Sequence, residues 1–199
     1  MSNGPLAAVF FSPVRTSCLV VCAGILIGSA ADSRADSSAP PAGRLGPSAS
    51  IAIGAGYSVA EGETGGIAVV ALADLGWFFT DRFAVLVGGT LATHFGDPDV
   101  YHTLLRLGVE YRLDARHYLR LSAGRSVVRR DRDATASDDV IETIGTGEGA
   151  LLVAGVPAAF WRWGELSFQV VAGGGLHRGD DDEASYAGFV ATCLEFAVR

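Results

Sequence analysis

At 199 residues, with 49% hydrophobic side chains, 26 glycines and only 19% charged residues, the chain holds one or two domains and is not disordered in composition. Its net charge of −7 excludes a protein that lives by gripping phosphate backbones, so no nucleic-acid partner is expected. Beyond the N-terminal segment no apolar run is long enough to cross a bilayer as a helix, so the hydrophobicity is spread along the chain.

Residues 1–35 read as an export signal. Arg15 precedes the apolar run Cys18–Ile27, and small residues at Ala31 and Ala35 offer cleavage points. The run, about 14 residues in all, is short for an anchor and suits a removed signal. Cys18 and Cys22 would leave with it, so Cys193 is expected alone, without a disulfide and sheltered in a strand. Residues 36–47, with Ser37-Ser38-Ala39-Pro40-Pro41, read as a flexible leader.

From residue 48 to 199 apolar segments alternate with polar punctuation, and the clearest have period two. In Thr103–Leu113 the odd positions are Thr103, Leu105, Leu107, Val109, Tyr111 and Leu113, while the even positions include Arg106, Glu110 and Arg112. The pattern predicts eight strands, at 48–58, 66–79, 83–94, 101–113, 117–127, 148–162, 166–176 and 185–198. Connections alternate in length. Tight turns are expected at 80–82, 114–116 and 163–165, and longer ones at 59–65, 95–100, 128–147 and 177–184. Three-residue turns would pair Phe79 with Phe83 and Leu113 with His117, which sets Glu110 opposite Arg120 as a salt bridge. Pro157 inside a strand predicts a bulge. The architecture expected is an all-β, eight-stranded antiparallel up-and-down transmembrane β-barrel.

Two kinds of eight-stranded barrel close their edges, soluble ligand carriers and membrane barrels, and they are inside-out relative to one another. Asp74, Arg106, Glu110, Arg112, Arg120 and Glu195 fall on the parity opposite the apolar side chains, together with Gly54, Gly56, Gly76, Gly88, Gly108, Gly124, Gly173 and Gly175. In lipid those charges are costly, whereas in a narrow lumen they can pair, with small residues leaving room for arginine heads. Aromatics gather near the short turns: Trp77, Phe79, Phe83, Tyr111, Phe160, Trp163, Phe168 and Phe196. That is the placement of an interfacial girdle on the periplasmic side, with a sparser set (Tyr57, Phe95, Tyr101, Tyr186) at the other end.

The segment from Asp74 through Trp77-Phe78-Phe79-Thr80-Asp81-Arg82-Phe83 to Val85 resembles the second strand, periplasmic turn and third strand of the small OmpA/OmpX-type outer-membrane β-barrels. The resemblance implies a bacterial outer-membrane location, periplasmic short turns, extracellular long loops, outer-membrane lipid and lipopolysaccharide as surroundings, and delivery by the barrel-assembly machinery. Members of that family usually end on an aromatic residue, whereas here Phe196 is followed by Ala197-Val198-Arg199.

No motif assigns chemistry, so no catalytic residue, metal or cofactor is expected. His94, His102, His117 and His177 sit on different segments and read as solvated or strand-end residues; none has a neighbouring serine and carboxylate for acyl hydrolysis, His177 having only Ser185 across a loop. Acidic residues in the long connections, such as Asp180-Asp181-Asp182-Glu183, lack ordered cation-ligand spacing. Arg125, Arg129, Arg130 and Arg132 rise into the third long connection, within reach of anionic lipid headgroups. The reading is a non-enzymatic outer-membrane barrel with a structural or surface-interaction role, a side-chain-filled lumen and functional extracellular loops of unknown ligand. The alternatives are a lipid-modifying membrane enzyme, such as a lipid A acyl hydrolase, a lipocalin-like soluble carrier, or a small channel.

Overall fold

A computed structural model describes residues 45–60, 65–95, 99–114, 117–132, 140–161, 164–179 and 184–198. Eight strands account for nearly all of them: β1 (Gly46–Ala60), β2 (Gly66–Phe78), β3 (Phe83–His94), β4 (Val100–Arg112), β5 (Tyr118–Arg132), β6 (Val140–Trp161), β7 (Gly164–Arg178) and β8 (Ala184–Val198). Each pairs antiparallel with its neighbour in sequence, and β8 pairs with β1, from Ala49↔Val198 to Ala60↔Ala187, closing the barrel. Closure leaves no edge strand with unpaired backbone groups.

Period-two patterning decides the two faces. Along β4 every even residue from Val100 to Arg112 is buried except Gly108, whereas Leu105 and Leu107 are exposed. A continuous apolar cluster of inward residues, including Val70, Leu104, Leu151, Val153, Val171 and Phe189, fills the middle of the barrel. A smaller cluster of Val100, Val128 and Ala187 lies nearer the end with the long connections.

Turn chemistry follows the sequence closely at two of the three tight connections. The amide of Phe79 donates to the carbonyl of Phe83 at 3.0 Å, and Thr80 Oγ1 accepts from the amides of Arg82 and Phe83 at 3.2 and 3.0 Å. The amide of Leu113 donates to His117 O at 2.9 Å, and Asp114 Oδ1 accepts from the His117 amide at 2.8 Å. Hydroxyl and carboxylate side chains close such turns by capping free backbone amides.

Three departures from the sequence reading bear on the barrel. β1 begins at Gly46, so the last residues assigned to the leader belong to the barrel; Gly46 takes φ of 115°, open to glycine without strain. The signal and leader residues 36–44 lie outside the described residues. The third long connection is shorter than 128–147, because Arg129–Arg132 continue pairing with residues 140–143. Continuation costs one bulged residue: Val128 pairs with Gly145 and Arg129 with Thr143, which leaves Ile144 over to pack on the Val100, Val128 and Ala187 cluster. The third tight turn is not 163–165, since β6 runs to Trp161 and β7 starts at Gly164. There Pro157 pairs with Ser167 and Ala159 with Leu166, a register shift at the proline, which has no amide for the ladder. Glu165 consequently belongs to β7 rather than to a turn.

Candidate functional site: the polar interior of the barrel

Inward-facing charges meet in one connected network near the short-turn end. Asp74 comes from β2, Arg106, Glu110 and Arg112 from β4, Arg120 from β5, Glu165 from β7 and Glu195 from β8, and all are buried. Arg106 grips Asp74 with both terminal nitrogens, Nη1 to Oδ1 at 2.8 Å and Nη2 to Oδ2 at 3.1 Å, while its Nε donates to Thr90 Oγ1 at 2.9 Å. Arg120 joins three acids. Its Nε donates to Glu110 Oε2 at 2.8 Å, and Nη1 lies 2.6 Å from Glu195 Oε1 and 3.5 Å from Asp74 Oδ2. Arg112 completes the chain through Nη2 to both oxygens of Glu165, at 2.8 and 3.0 Å, and Nε to Glu110 Oε1 at 3.2 Å. Forked guanidinium–carboxylate contacts of this kind combine geometric specificity with charge-assisted hydrogen bonding.

Neutral groups tie the network to the wall. Tyr118, fully buried, donates to Glu195 Oε2 at 2.6 Å and accepts from Gln169 Nε2 at 2.9 Å. The guanidinium carbons of Arg120 and Arg112 lie 4.9 and 5.9 Å from the centre of the Tyr118 ring, within cation–π range. Glycines make the space: a Cβ at Gly88 would collide with the Asp74 carboxylate, and one at Gly155 would enter the Tyr118 ring.

Glu165, Tyr118 and Gln169 are absent from the sequence-based cluster. Gln169 and Ser167 share the parity of Glu165, the signal that marks Glu165 as inward once β7 is extended to Gly164.

A second polar group lies toward the long connections. Ser126 Oγ is 2.5 Å from His102 Nε2 and 2.7 Å from His177 Nε2, and both rings are buried, their centroids 5.4 Å apart. His94 Nδ1 is 3.0 Å from Ser58 Oγ, also in a buried setting. The solvated reading of these three histidines is thereby corrected; Ser185 is the direct cross-strand partner of His177, as expected, but the hydroxyl within hydrogen-bond distance of its ring is that of Ser126. Antiparallel pairing brings residues distant in sequence to one level: His102 pairs with Val128, next but one to Ser126, while Ser126 pairs with Gly147 and Gly147 with His177. His117 sits at a tight turn, 2.9 Å from Asp114 Oδ2.

Of the aromatic girdle residues, Trp77, Phe79, Phe83, Tyr111, Phe168 and Phe196 are exposed on the outer surface near the short turns. Phe79 and Phe83 rings lie 6.5 Å apart. Phe160 departs from the set: beyond the Pro157 bulge it pairs with Glu165, on the inward parity, and the neighbouring Trp161 stacks on Phe196 at 5.1 Å. One extra residue flips every later side chain to the other face. Trp163 lies outside the described residues.

No protein-family model matches the chain, and no curated protein matches it. Solved structures do. Ail, the attachment invasion locus protein of Yersinia pestis, superposes with a TM-score of 0.52 at 14% identity, over 77% of this chain and 99% of that one. Ail in complex with the heparin analogue sucrose octasulfate gives the same TM-score at 11% identity with the same coverage. Neisserial surface protein A superposes at 0.49 with 13% identity, over 75% of this chain and 94% of that one. A closed, all-antiparallel, up-and-down arrangement of eight strands, matched over nearly the whole length of Ail, is the fold of the small eight-stranded outer-membrane β-barrels, and this chain has it.

Proposed function

We propose that the chain is a bacterial outer-membrane barrel with a structural or surface-interaction role and no catalytic activity, its short turns periplasmic and its long connections extracellular. The observation that carries this reading is the inversion of its two faces. Ile51, Ile53, Ile67, Leu75, Leu105, Leu107 and Leu121 are exposed around the outside, while three arginines and four carboxylates are buried inside. Such an exterior suits hydrocarbon, and a soluble carrier of apolar ligands would need the reverse. The ion-paired interior at one end, with packed apolar side chains in the middle, supports a filled lumen rather than a diffusion pore.

Delivery by the barrel-assembly machinery after removal of residues 1–35 belongs to the same reading, as does lipopolysaccharide contact by the exposed Arg129 and Arg178. The test is fractionation of cell envelopes followed by gel electrophoresis in SDS with and without boiling. An outer-membrane protein whose mobility shifts on heating is expected. A soluble protein without a shift would overturn the reading.

A further inference from the structure

Among the strand residues whose side chains are described, the exposed charged ones are Arg125 and Arg129 on β5, Glu148 on β6 and Arg178 on β7, all on three neighbouring strands. Arg125 and Glu148 are direct cross-strand partners, yet neither forms an ion pair among the described residues. With a rise of about 3.3 Å per residue and a tilt of about 40°, Arg125 stands roughly 15 Å above Leu119 at the inner end of β5, inside an apolar band about 25 Å tall. Unpaired charges facing lipid at that depth are costly and call for a partner.

The register around the pair says what partner fits. Leu105 pairs with Arg125, Arg125 with Glu148 and Glu148 with Leu176, so four successive strands present an apolar, a positive, a negative and an apolar side chain in one row. Reversed left to right, the row is complementary to itself. A two-fold axis along the membrane normal, passing between β5 and β6, performs that reversal for the central pair when two copies stand face to face: the row climbs with the strand tilt, so Arg125 of each copy and Glu148 of the other differ by about 3 Å in height, within reach of their long side chains. The next row toward the short turns runs Leu107, Ala123, Ala150 and Gly174 over the same four strands, small at the three positions after Leu107. Small outward residues let two walls approach closely, which within lipid, where apolar contact alone drives nothing, is what makes protein–protein packing favourable.

We propose that this face of β4–β7 is the contact between two copies of the chain in the outer membrane, held by reciprocal Arg125–Glu148 ion pairs over the Ala123–Ala150–Gly174 depression. An anionic lipid headgroup fits less well, because Glu148 stands directly beside Arg125. The proposal rests on the outer-membrane reading above.

The test is disulfide trapping of A123C in native membranes, read on non-reducing gels, with R125E and E148R added singly and coexpressed. A trapped dimer is expected with A123C alone. Each charge reversal should lower its yield at least tenfold, since R125E makes the pair doubly negative and E148R doubly positive. Coexpression of the two should restore it as a mixed dimer in which every contact is again complementary. Absence of a dimer, or trapping indifferent to both reversals, would overturn the proposal. So would loss of copurifying lipopolysaccharide in R125E with trapping unchanged, which would give the face to lipid instead. The heat-dependent gel shift, scored on each variant, separates the two failures: a monomer that still shifts loses only the dimer, whereas a protein that never shifts loses the membrane reading itself.

Discussion

Arg120 Nη1 and Glu195 Oε1 lie 2.6 Å apart, although β5 and β8 are not neighbours in the wall. Their ion pair therefore crosses the lumen, and through Glu110 and Asp74 it joins strands on both sides. Replacing Arg120 with Met leaves buried carboxylates uncompensated, and removal of one partner of a buried pair costs about 3–5 kcal/mol. Equilibrium unfolding in urea with lipid vesicles should show that loss. Glu195→Gln, which keeps the hydrogen bond to Tyr118, should cost less, and a double-mutant cycle should return a coupling of about 0.5–3 kcal/mol.

Two glycines of the same strand type give a contrast in sign and size. A Cβ at Gly155 enters the Tyr118 ring, whereas one at Gly89 meets nothing within 4 Å. Gly155→Ala should destabilise by about 1–3 kcal/mol through overpacking, while Gly89→Ala should stay within about 0.5 kcal/mol. The temperature at which each variant loses its fast-migrating form on SDS gels checks both.

Ser126 is the shared partner of His102 and His177. Ser126→Ala deprives two buried ring nitrogens of their hydrogen bond, at an expected cost of about 1–3 kcal/mol in thermal or urea unfolding. A structural role predicts that the lipid A mass profile of cells carrying S126A matches wild type. A changed profile would make the serine a catalytic residue.

Orientation toward lipid is testable on the side away from the dimer face. Ile53, in the middle of β1, is 64% exposed. In a bilayer Ile53→Arg should cost about 2–4 kcal/mol, the penalty for arginine near the midplane of a barrel wall. On a water-facing surface the same change would stay within about 0.5 kcal/mol, so the two environments predict outcomes that vesicle unfolding separates.

The eight strands, their order and the face each residue takes were readable from sequence wherever the chain is locally regular. Alternation in Thr103–Leu113 reports a one-sided apolar strand directly, and Thr80 and Asp114 cap their turns with atoms only a few residues away, so the pairing of Glu110 with Arg120 follows from counting. Counting fails at a bulge. One unpaired residue after Pro157 turned Phe160 to the parity of Glu165 and brought Trp161 onto Phe196, and another at Ile144 let β5 and β6 run on past the point where the pattern had faded. Contacts across the lumen, Arg120 with Glu195 and Arg112 with Glu165, depend on how far the sheet slides before β8 meets β1. That stagger belongs to the closed barrel as a whole, since it is the sum of every register around the ring. Local sequence determined which side chains point inward and which neighbours face each other along the wall; closure decided which of them meet across the lumen.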